Sequence, residues 1–270
     1  MPPLPAQLRR AYVLMHQHFG HQKWWPGETP FEVCVGAILV QNTSWTNVER
    51  AIANLKSASV LEPAKLFTLP QAELAQLIRP AGYFNVKAQR LRSFLRGLVE
   101  EFDADLQKLF AGETATVRER LLAIHGIGPE TADSLLLYAG GHHSFVIDAY
   151  TKRIFERHKW CESVAVVGRA RHSVRAAGWQ AENGAQKVSR PVSNPPLFPH
   201  PKKHDPFSYY ALKSLCESAL NQKRGAAQLD YWQDYHAQLV MVGKYFCRPR
   251  EARCEKCPLR PLLPGNRHRR

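Results

Sequence analysis

Apolar residues along most of this chain recur at intervals of three and four positions, the spacing of one buried helix face. The pattern predicts helices over 6–19, 30–41, 45–57, 64–69, 71–78, 85–102, 105–110, 117–124, 149–157, 212–220 and 231–244. Pro30 and Pro63 stand where two of these helices would begin, a position that tolerates the missing N–H of proline. Alternating strand patterns are scarce, apart from a short strand-like run at 145–147. We therefore expect an all-α fold.

The periodicity is lost between residues 161 and 206. Six prolines fall within 191–206, separated mainly by polar and basic residues. A stretch of this length is too long for an ordinary loop in a compact domain. We interpret 161–206 as an inserted, disordered segment. A passive solvated loop is the favoured interpretation, and a weak contact with a polyanion is the alternative.

Charge is distributed very unevenly along the chain. Residues 1–150 carry 14 Lys and Arg against 14 Asp and Glu, whereas residues 151–270 carry 23 against 9, so the whole net charge of +14 lies in the second part. This asymmetry indicates a polyanionic partner. No run is long enough to span a membrane, and the proline-rich first ten residues do not resemble a secretory leader. We expect a cytoplasmic monomer.

The most informative segment is the pair of short helices around Gly126 and Gly128. Both glycines permit a tight chain reversal and leave backbone N–H groups uncovered. Pro129 follows at the first turn of the second helix, which suits its fixed φ angle. Exposed amides at a helix start bind anions, so the hairpin predicts a contact with backbone phosphates. The alternative is an ordinary helix-packing turn.

A single carboxylate, Asp148, follows the hairpin between the apolar run 145–147 and the predicted helix 149–157. Aspartate is a favoured residue at a helix N-cap, so the residues alone favour a capping role.

Four motifs in the same order resemble the endonuclease III-like branch of the helix-hairpin-helix (HhH-GPD) DNA glycosylase superfamily. The resemblance covers about 20–160 and 207–262. It rests on the stretch 36–43, the stretch 82–88, the hairpin 126–132 with 145–148, and Cys247-x6-Cys254-x2-Cys257. Within the branch, the chain looks nearest to the monofunctional members of the 3-methyladenine type.

The resemblance implies a two-domain architecture with double-stranded DNA in the groove between the domains. A six-helix domain would occupy 29–143, and a second helical domain would combine 1–28 with 144–270. Asp148 would be the catalytic carboxylate, in addition to its capping role, because a carboxylate near C1′ stabilises the positive sugar formed when an N-glycosidic bond breaks. The residues implied to bind DNA are Gln41, Gly126, Ile127, Gly128 and Thr131.

One position departs from the bifunctional members. They carry a lysine whose amine attacks C1′, and this chain has Glu130 there. The departure implies hydrolysis by water. The stretches 145–150, 24–26 and 41–45 resemble members that release a damaged, alkylated base. Strand cleavage by another amine and an inactive DNA-binding protein remain alternatives.

The base must leave the duplex for this chemistry, and aromatic faces bind flipped or cationic bases well. Candidates for the pocket are Trp24, Trp25, Trp45 and Glu130. We expect one tryptophan, rather than all three, to face the base, since helical tryptophans usually pack in a core. Glu130 could instead be a solvated acid at the start of a helix.

The cysteine loop is incomplete relative to the resemblance. Cys247, Cys254 and Cys257 fit three ligands of a 4Fe-4S cluster, but Leu263 occupies the fourth place. A cluster with another fourth ligand, a zinc ion with a histidine such as His268, and a vestigial site are all open.

Overall fold

The structure, a computed structural model, describes residues 2–161 and 208–265. The predicted insertion therefore lies outside the described residues, except for Cys161, and His268 also lies outside them. The described residues contain helices and no β-strand. In chain order the helices are α1 Leu4–Phe19, α2 Pro30–Leu39, α3 Trp45–Ser57, α4 Pro63–Thr68, α5 Gln71–Leu77, α6 Phe84–Phe102, α7 Leu106–Phe110, α8 Thr114–Ala123, α9 Pro129–Ser134, α10 Ala149–Arg157, α11 Tyr209–Ala219 and α12 Gly225–Tyr245. Short 3₁₀ turns lie at Arg79–Ala81, Cys254–Lys256 and Arg260–Leu262, and a π-helical turn, Leu135–Ala139, extends α9.

The all-α prediction is confirmed, and each predicted helix has a counterpart. The strand-like run 145–147 is buried, but the described residues offer it no partner strand. An isolated extended segment cannot form a sheet. The last predicted helix begins at Gly225 instead of 231, because residues 225–230 contain only one large apolar side chain and so show no apolar period.

Buried apolar side chains form two clusters. The first contains residues from Phe31 to Leu136, with α2 at its centre. Almost the whole surface of α2 is buried, which explains its nearly continuous apolar sequence. Thr29 begins the helix by accepting a hydrogen bond from the Glu32 amide, and Pro30 occupies the first turn.

The second cluster combines the N-terminal helix with the C-terminal half of the chain. Side chains of α1, α10, α11 and α12 pack together with the extended segment 145–147. The division into domains at 29–143, and at 1–28 with 144–270, remains a prediction, and Leu137, inside the first range, packs in the second cluster.

Asp133 connects the two clusters and is fully buried. Its carboxylate accepts two hydrogen bonds from Arg118 on α8, at 2.8 and 3.0 Å. It also accepts from Ser144 and from Tyr209 on α11, both at 2.6 Å. These bonds connect α11 to the hairpin helix α9 and so fix the position of α9, which borders the candidate site.

Candidate active site

The hairpin between α8 and α9 presents its backbone outward. Gly126 has a φ of +89°, and a Cβ atom there would lie 2.3 Å from Cγ of Arg90, so only glycine fits. Gly128 has an ordinary φ of −91° and is the N-cap of α9. The sequence-based view that both glycines serve the reversal was therefore wrong for Gly128. Among residues 2–161 and 208–265, no neighbouring atom lies within 4 Å of a Cβ placed at Gly128, so these residues leave room there for a ligand.

Gln41 lies against this hairpin. Its Nε2 donates to the Gly126 carbonyl at 3.2 Å and to Thr131 Oγ1 at 2.9 Å, and its Oε1 accepts from Arg90. Ile127 is buried and its amide is used by the Ile124 carbonyl. The residues predicted to bind DNA are thus gathered in one place. Ile127 would support the hairpin from beneath, because neither its side chain nor its amide is free.

Asp148 is buried where the extended segment 145–147 meets α10. Its Oδ1 accepts the Thr151 amide at 2.7 Å, which makes it the N-cap of α10. Burial alone would raise the pKa of the Asp148 carboxyl. His236 and the Thr151 amide outweigh burial and hold that pKa below its ordinary value. The carboxylate is therefore charged, and its second oxygen is not needed for the cap.

Two residues beside Asp148 were missed by the sequence analysis. His236 of α12 places Nε2 3.6 Å from Asp148 Oδ2, and its Nδ1 lies 2.6 Å from the hydroxyl of Tyr138. The histidine is buried, and Tyr138 belongs to the π-helical turn. Polar residues on the inward face of an otherwise apolar helix were the available signal. Their partners are about 90 residues away in sequence, so only the fold reveals them.

Glu130 lies in the first turn of α9, facing the same region. Burial of the carboxyl and the nearby charge of Asp148 raise the pKa of Glu130 to about 7, while His236 and Lys152 oppose this effect. The residue also keeps a surface exposed to solvent, which weakens these effects through screening. Two carboxyls, Asp148 with a lowered pKa and Glu130 with a raised one, therefore occupy the candidate site together.

The three predicted pocket tryptophans form one partly exposed cluster. Trp25 lies 5.2 Å from Trp45 and 5.1 Å from Tyr138, measured between ring centroids. Trp24 contacts both other indoles at about 6 Å. Each indole Nε1 is buried without a hydrogen-bond partner. Through Tyr138 the cluster is continuous with His236 and Asp148, so an aromatic wall borders the carboxylate.

The segment that carries Trp24 and Trp25 is anchored by α12. Asp234, which is fully buried, accepts from the Gln22 amide at 2.8 Å and from the Tyr12 hydroxyl at 2.8 Å. Gln238 donates to the Gly20 carbonyl at 2.6 Å. The same helix therefore positions the aromatic wall through Asp234 and the carboxylate through His236.

The cysteine loop lies at the far end of α10 and α12. One narrow cavity there is lined by Arg157, His158, Val242, Phe246, Cys247, Cys254, Cys257, Arg260 and Leu263. Burial raises the pKa of the Cys257 thiol to about 11, and Cys247 Sγ accepts from Arg157 at 3.0 Å. His158 Nδ1 is buried there without a hydrogen-bond partner.

These residues do not make a complete ligand set for a 4Fe-4S cluster. Three thiols converge on the cavity, but the fourth place holds the aliphatic side chain of Leu263. Within 2–161 and 208–265, no three Cys, His, Asp or Glu side chains are grouped closely enough to hold a metal ion. We therefore assign no chemistry to a metal.

The sequence is similar to a family model and to several known proteins. Residues 35–175 match the family model described as HhH-GPD superfamily base excision DNA repair protein. A protein of Methanocaldococcus jannaschii, named as a candidate DNA repair glycosylase, is 36% identical over 252 residues, 93% of each chain. Endonuclease III of Haemophilus influenzae is 23% identical over 234 residues, 87% of this chain and 83% of its own length.

Solved structures share the fold. A Helicobacter pylori 3-methyladenine DNA glycosylase bound to 1,N6-ethenoadenine superposes with a TM-score of 0.63 at 23% identity, covering 89% of this chain and 97% of its own. Endonuclease III in a non-covalent DNA complex gives 0.64 at 18% identity, covering 96% and 95%.

Proposed function

Because the chain belongs to the HhH-GPD superfamily of base excision DNA repair proteins, we propose that it releases an alkylated base from duplex DNA by hydrolysis. Asp148 is the proposed catalytic carboxylate. The observation that carries the proposal is a buried, charged Asp148 beside an aromatic wall, with Glu130 on the hairpin helix. A carboxylate in this setting stabilises the sugar cation that develops as the N-glycosidic bond breaks.

The proposed binding mode follows from the hairpin. The amides of Gly126 and Gly128 approach the phosphate backbone, and the open space over Gly128 allows that approach. The excess of basic residues in the second part of the chain adds attraction that does not depend on base sequence. Gln41 enters the duplex and fills the space that the flipped base leaves, after releasing its contacts with Gly126 and Thr131.

Glu130 supports a hydrolytic reaction. A carboxylate has no amine to form an imine with C1′, so the sugar must be captured by water. We expect the unaltered protein to leave intact abasic strands that break only after alkali. Duplexes containing 3-methyladenine, 7-methylguanine, 1,N6-ethenoadenine, uracil or oxidised bases, each assayed with and without alkali, test both the lesion and the reaction type.

One observation keeps a strand-cleaving reaction as a second candidate. Lys152 lies one turn after Asp148, close enough to affect the ionisation of Glu130. If its amine attacked C1′, borohydride would trap a protein–DNA adduct, and Lys152→Gln would abolish that adduct. Lys159→Gln, at the end of the α10 region, is the matched control. Absence of an adduct supports hydrolysis, and a Lys152-dependent adduct overturns it.

A further inference from the structure

The contact between α12 and Asp148 involves more than packing. His236 is the ring through which α12 approaches the carboxylate, and Tyr138 approaches that ring from the opposite side. The three side chains come from the π-helical turn, from α12 and from the N-cap of α10. They therefore meet at the second apolar cluster, against which Tyr138 packs.

The hydrogen positions follow from chemistry. Tyr138 is partly buried, and desolvation of its hydroxyl raises the pKa of that group well above its ordinary value, so the phenol keeps its proton. The hydroxyl lies 2.6 Å from Nδ1 of His236 and 3.3 Å from the Gln233 carbonyl, and we assign its single proton to Nδ1 because that contact is much the shorter. A neutral imidazole that accepts at Nδ1 carries its proton on Nε2. That Nε2–H is the group that faces Asp148 Oδ2 at 3.6 Å.

Nε2 has no other use in the described structure. It is buried and has no hydrogen-bond partner at bonding distance. A buried donor without a partner is costly, so the arrangement needs a reason. Catalytic hydrogen bonds are often long in free enzymes and shorten in the substrate complex. The small gap between Nε2 and Oδ2 fits this behaviour.

We propose that Tyr138 and His236 are positioning residues for the reaction. Tyr138 holds His236 in the Nε2–H tautomer, and His236 in turn orients the Asp148 carboxylate and keeps it ionised. This inference rests on the proposed role of Asp148. With Oδ1 fixed by the Thr151 amide and Oδ2 facing His236, the carboxylate has one orientation. Its remaining lone pairs are available to the sugar or to the attacking water.

The arrangement also connects substrate binding to the carboxylate. Tyr138 contacts Trp25 at 5.1 Å between ring centroids. A base placed against Trp25 would therefore be connected to His236 through Trp25 and Tyr138. Glu130 and Lys152 are the other titratable groups that act on this part of the site, and Asp234 acts on Tyr138. All three remain in the variants described below.

The first test reads Asp148 directly, without any substrate. Carboxyl ¹³C NMR of the full chain should show its titration midpoint rising by about one pH unit in His236→Leu, and by less in Tyr138→Phe. In His236→Gln the amide N–H replaces Nε2–H and should restore part of the difference. The same midpoint in all four proteins would overturn the proposal. If His236→Leu does not fold, Tyr138→Phe and His236→Gln still decide the question.

The second test follows single-turnover base release with whichever lesion the panel identifies. Tyr138→Phe should lower the rate about tenfold without weakening binding to the lesion duplex, and should move the acid limb of the pH profile upward. Adding Tyr138→Phe to His236→Gln should cause little further loss, since both act through one ring. Tyr245→Phe and His143→Gln, at exposed positions, are matched controls.

The two tests separate two kinds of failure. If the unaltered protein releases no base from any duplex, the proposed function fails, and NMR still shows whether His236 controls Asp148. If base is released but the midpoint, the pH profile and the rate are unchanged in the variants, the proposed function stands and the positioning role is wrong.

Discussion

Asp148 combines a structural and a proposed chemical role in one carboxylate. One oxygen caps α10, and the other faces His236. The two roles are compatible because a helix N-terminus favours a negative charge, and the reaction needs the same charge near the sugar. A substitution that keeps the cap and removes the charge therefore separates them.

Asp148→Asn is that substitution, since asparagine is also a good N-cap. We expect base release to fall about 100-fold or more, whereas thermal stability and DNA affinity should change little. Asp105→Asn, at the N-cap of α7, is the matched control because Asp105 accepts the Gln107 amide in the same way. Equal turnover by Asp148→Asn in a folded protein would remove Asp148 from the mechanism.

At the scale of elements, the hairpin shows that glycine can be present at two positions of one motif for different reasons. Gly126 is required by its positive φ and by the side chain of Arg90. Nothing among the described residues requires glycine at position 128, because its φ is ordinary and a Cβ there would meet none of their atoms within 4 Å. The reason for a glycine there is the approach of something from outside, which we propose to be a phosphate.

The pair Gly126→Val and Gly128→Val tests this difference. Gly126→Val should destabilise the fold, because valine meets Arg90 and adopts a positive φ only with strain. Gly128→Val should fold normally but bind every duplex more weakly by a similar factor, about tenfold, whatever its sequence. Fluorescence anisotropy with unrelated duplexes measures this. Undiminished binding by folded Gly128→Val would favour a purely structural hairpin.

The cysteine loop gives the second prediction at this scale. Leu263 lines the same cavity as the three cysteines, so a cysteine there would complete four thiolates. We expect Leu263→Cys to raise iron and sulfide content after anaerobic purification, together with visible thiolate-to-iron absorption, whereas Leu262→Cys, at the neighbouring position, should not. A stable, fully loaded cluster in the unaltered protein would contradict the prediction. In that case His158→Ala would show whether the imidazole is the fourth ligand.

At the scale of the whole molecule, the two apolar clusters depend on a small number of buried polar connections. Asp133 is the clearest, with bonds to Arg118, Ser144 and Tyr209. Burial opposes its ionisation, but Arg118 and the other donors hold the pKa of Asp133 below its ordinary value. A folded-state pKa below the unfolded value means that Asp133 stabilises the fold at neutral pH.

Asp133→Asn should therefore lower the free energy of unfolding by about 3 kcal/mol near pH 7, because Arg118 loses its buried partner. The unaltered protein should lose the Asp133 contribution as the pH falls below about 4, where the unfolded carboxyl becomes protonated, and on through the lower folded-state pKa. The stability difference between the two proteins should narrow over that range. Urea unfolding at pH 7 and pH 3 measures it, with the exposed Asp230→Asn as control. A constant difference would contradict the assignment.

The net charge also acts at this scale. All of the excess of basic residues lies after residue 150, whereas the hairpin and the aromatic wall lie largely before it. No helix among the described residues is long and apolar enough to cross a membrane. Part of the basic excess lies at 162–207 and 266–270, outside the described residues, and we propose that the excess as a whole attracts the phosphate backbone.

The sequence by itself determined the helices, the hairpin and the positions of Asp148, Glu130 and the three loop cysteines. These features are local, since apolar spacing, caps and turn residues act over only a few positions. Residues 145–147 show where local reasoning fails, because an extended segment becomes a strand only if a partner exists. The tertiary structure alone decided that Gly128 is open and that the three tryptophans form one wall. It also placed Tyr138 and His236 beside Asp148. His236 lies about 90 positions from both of its partners, and these distances depend on how α12 packs against α10 and the π-helical turn, which no local pattern encodes.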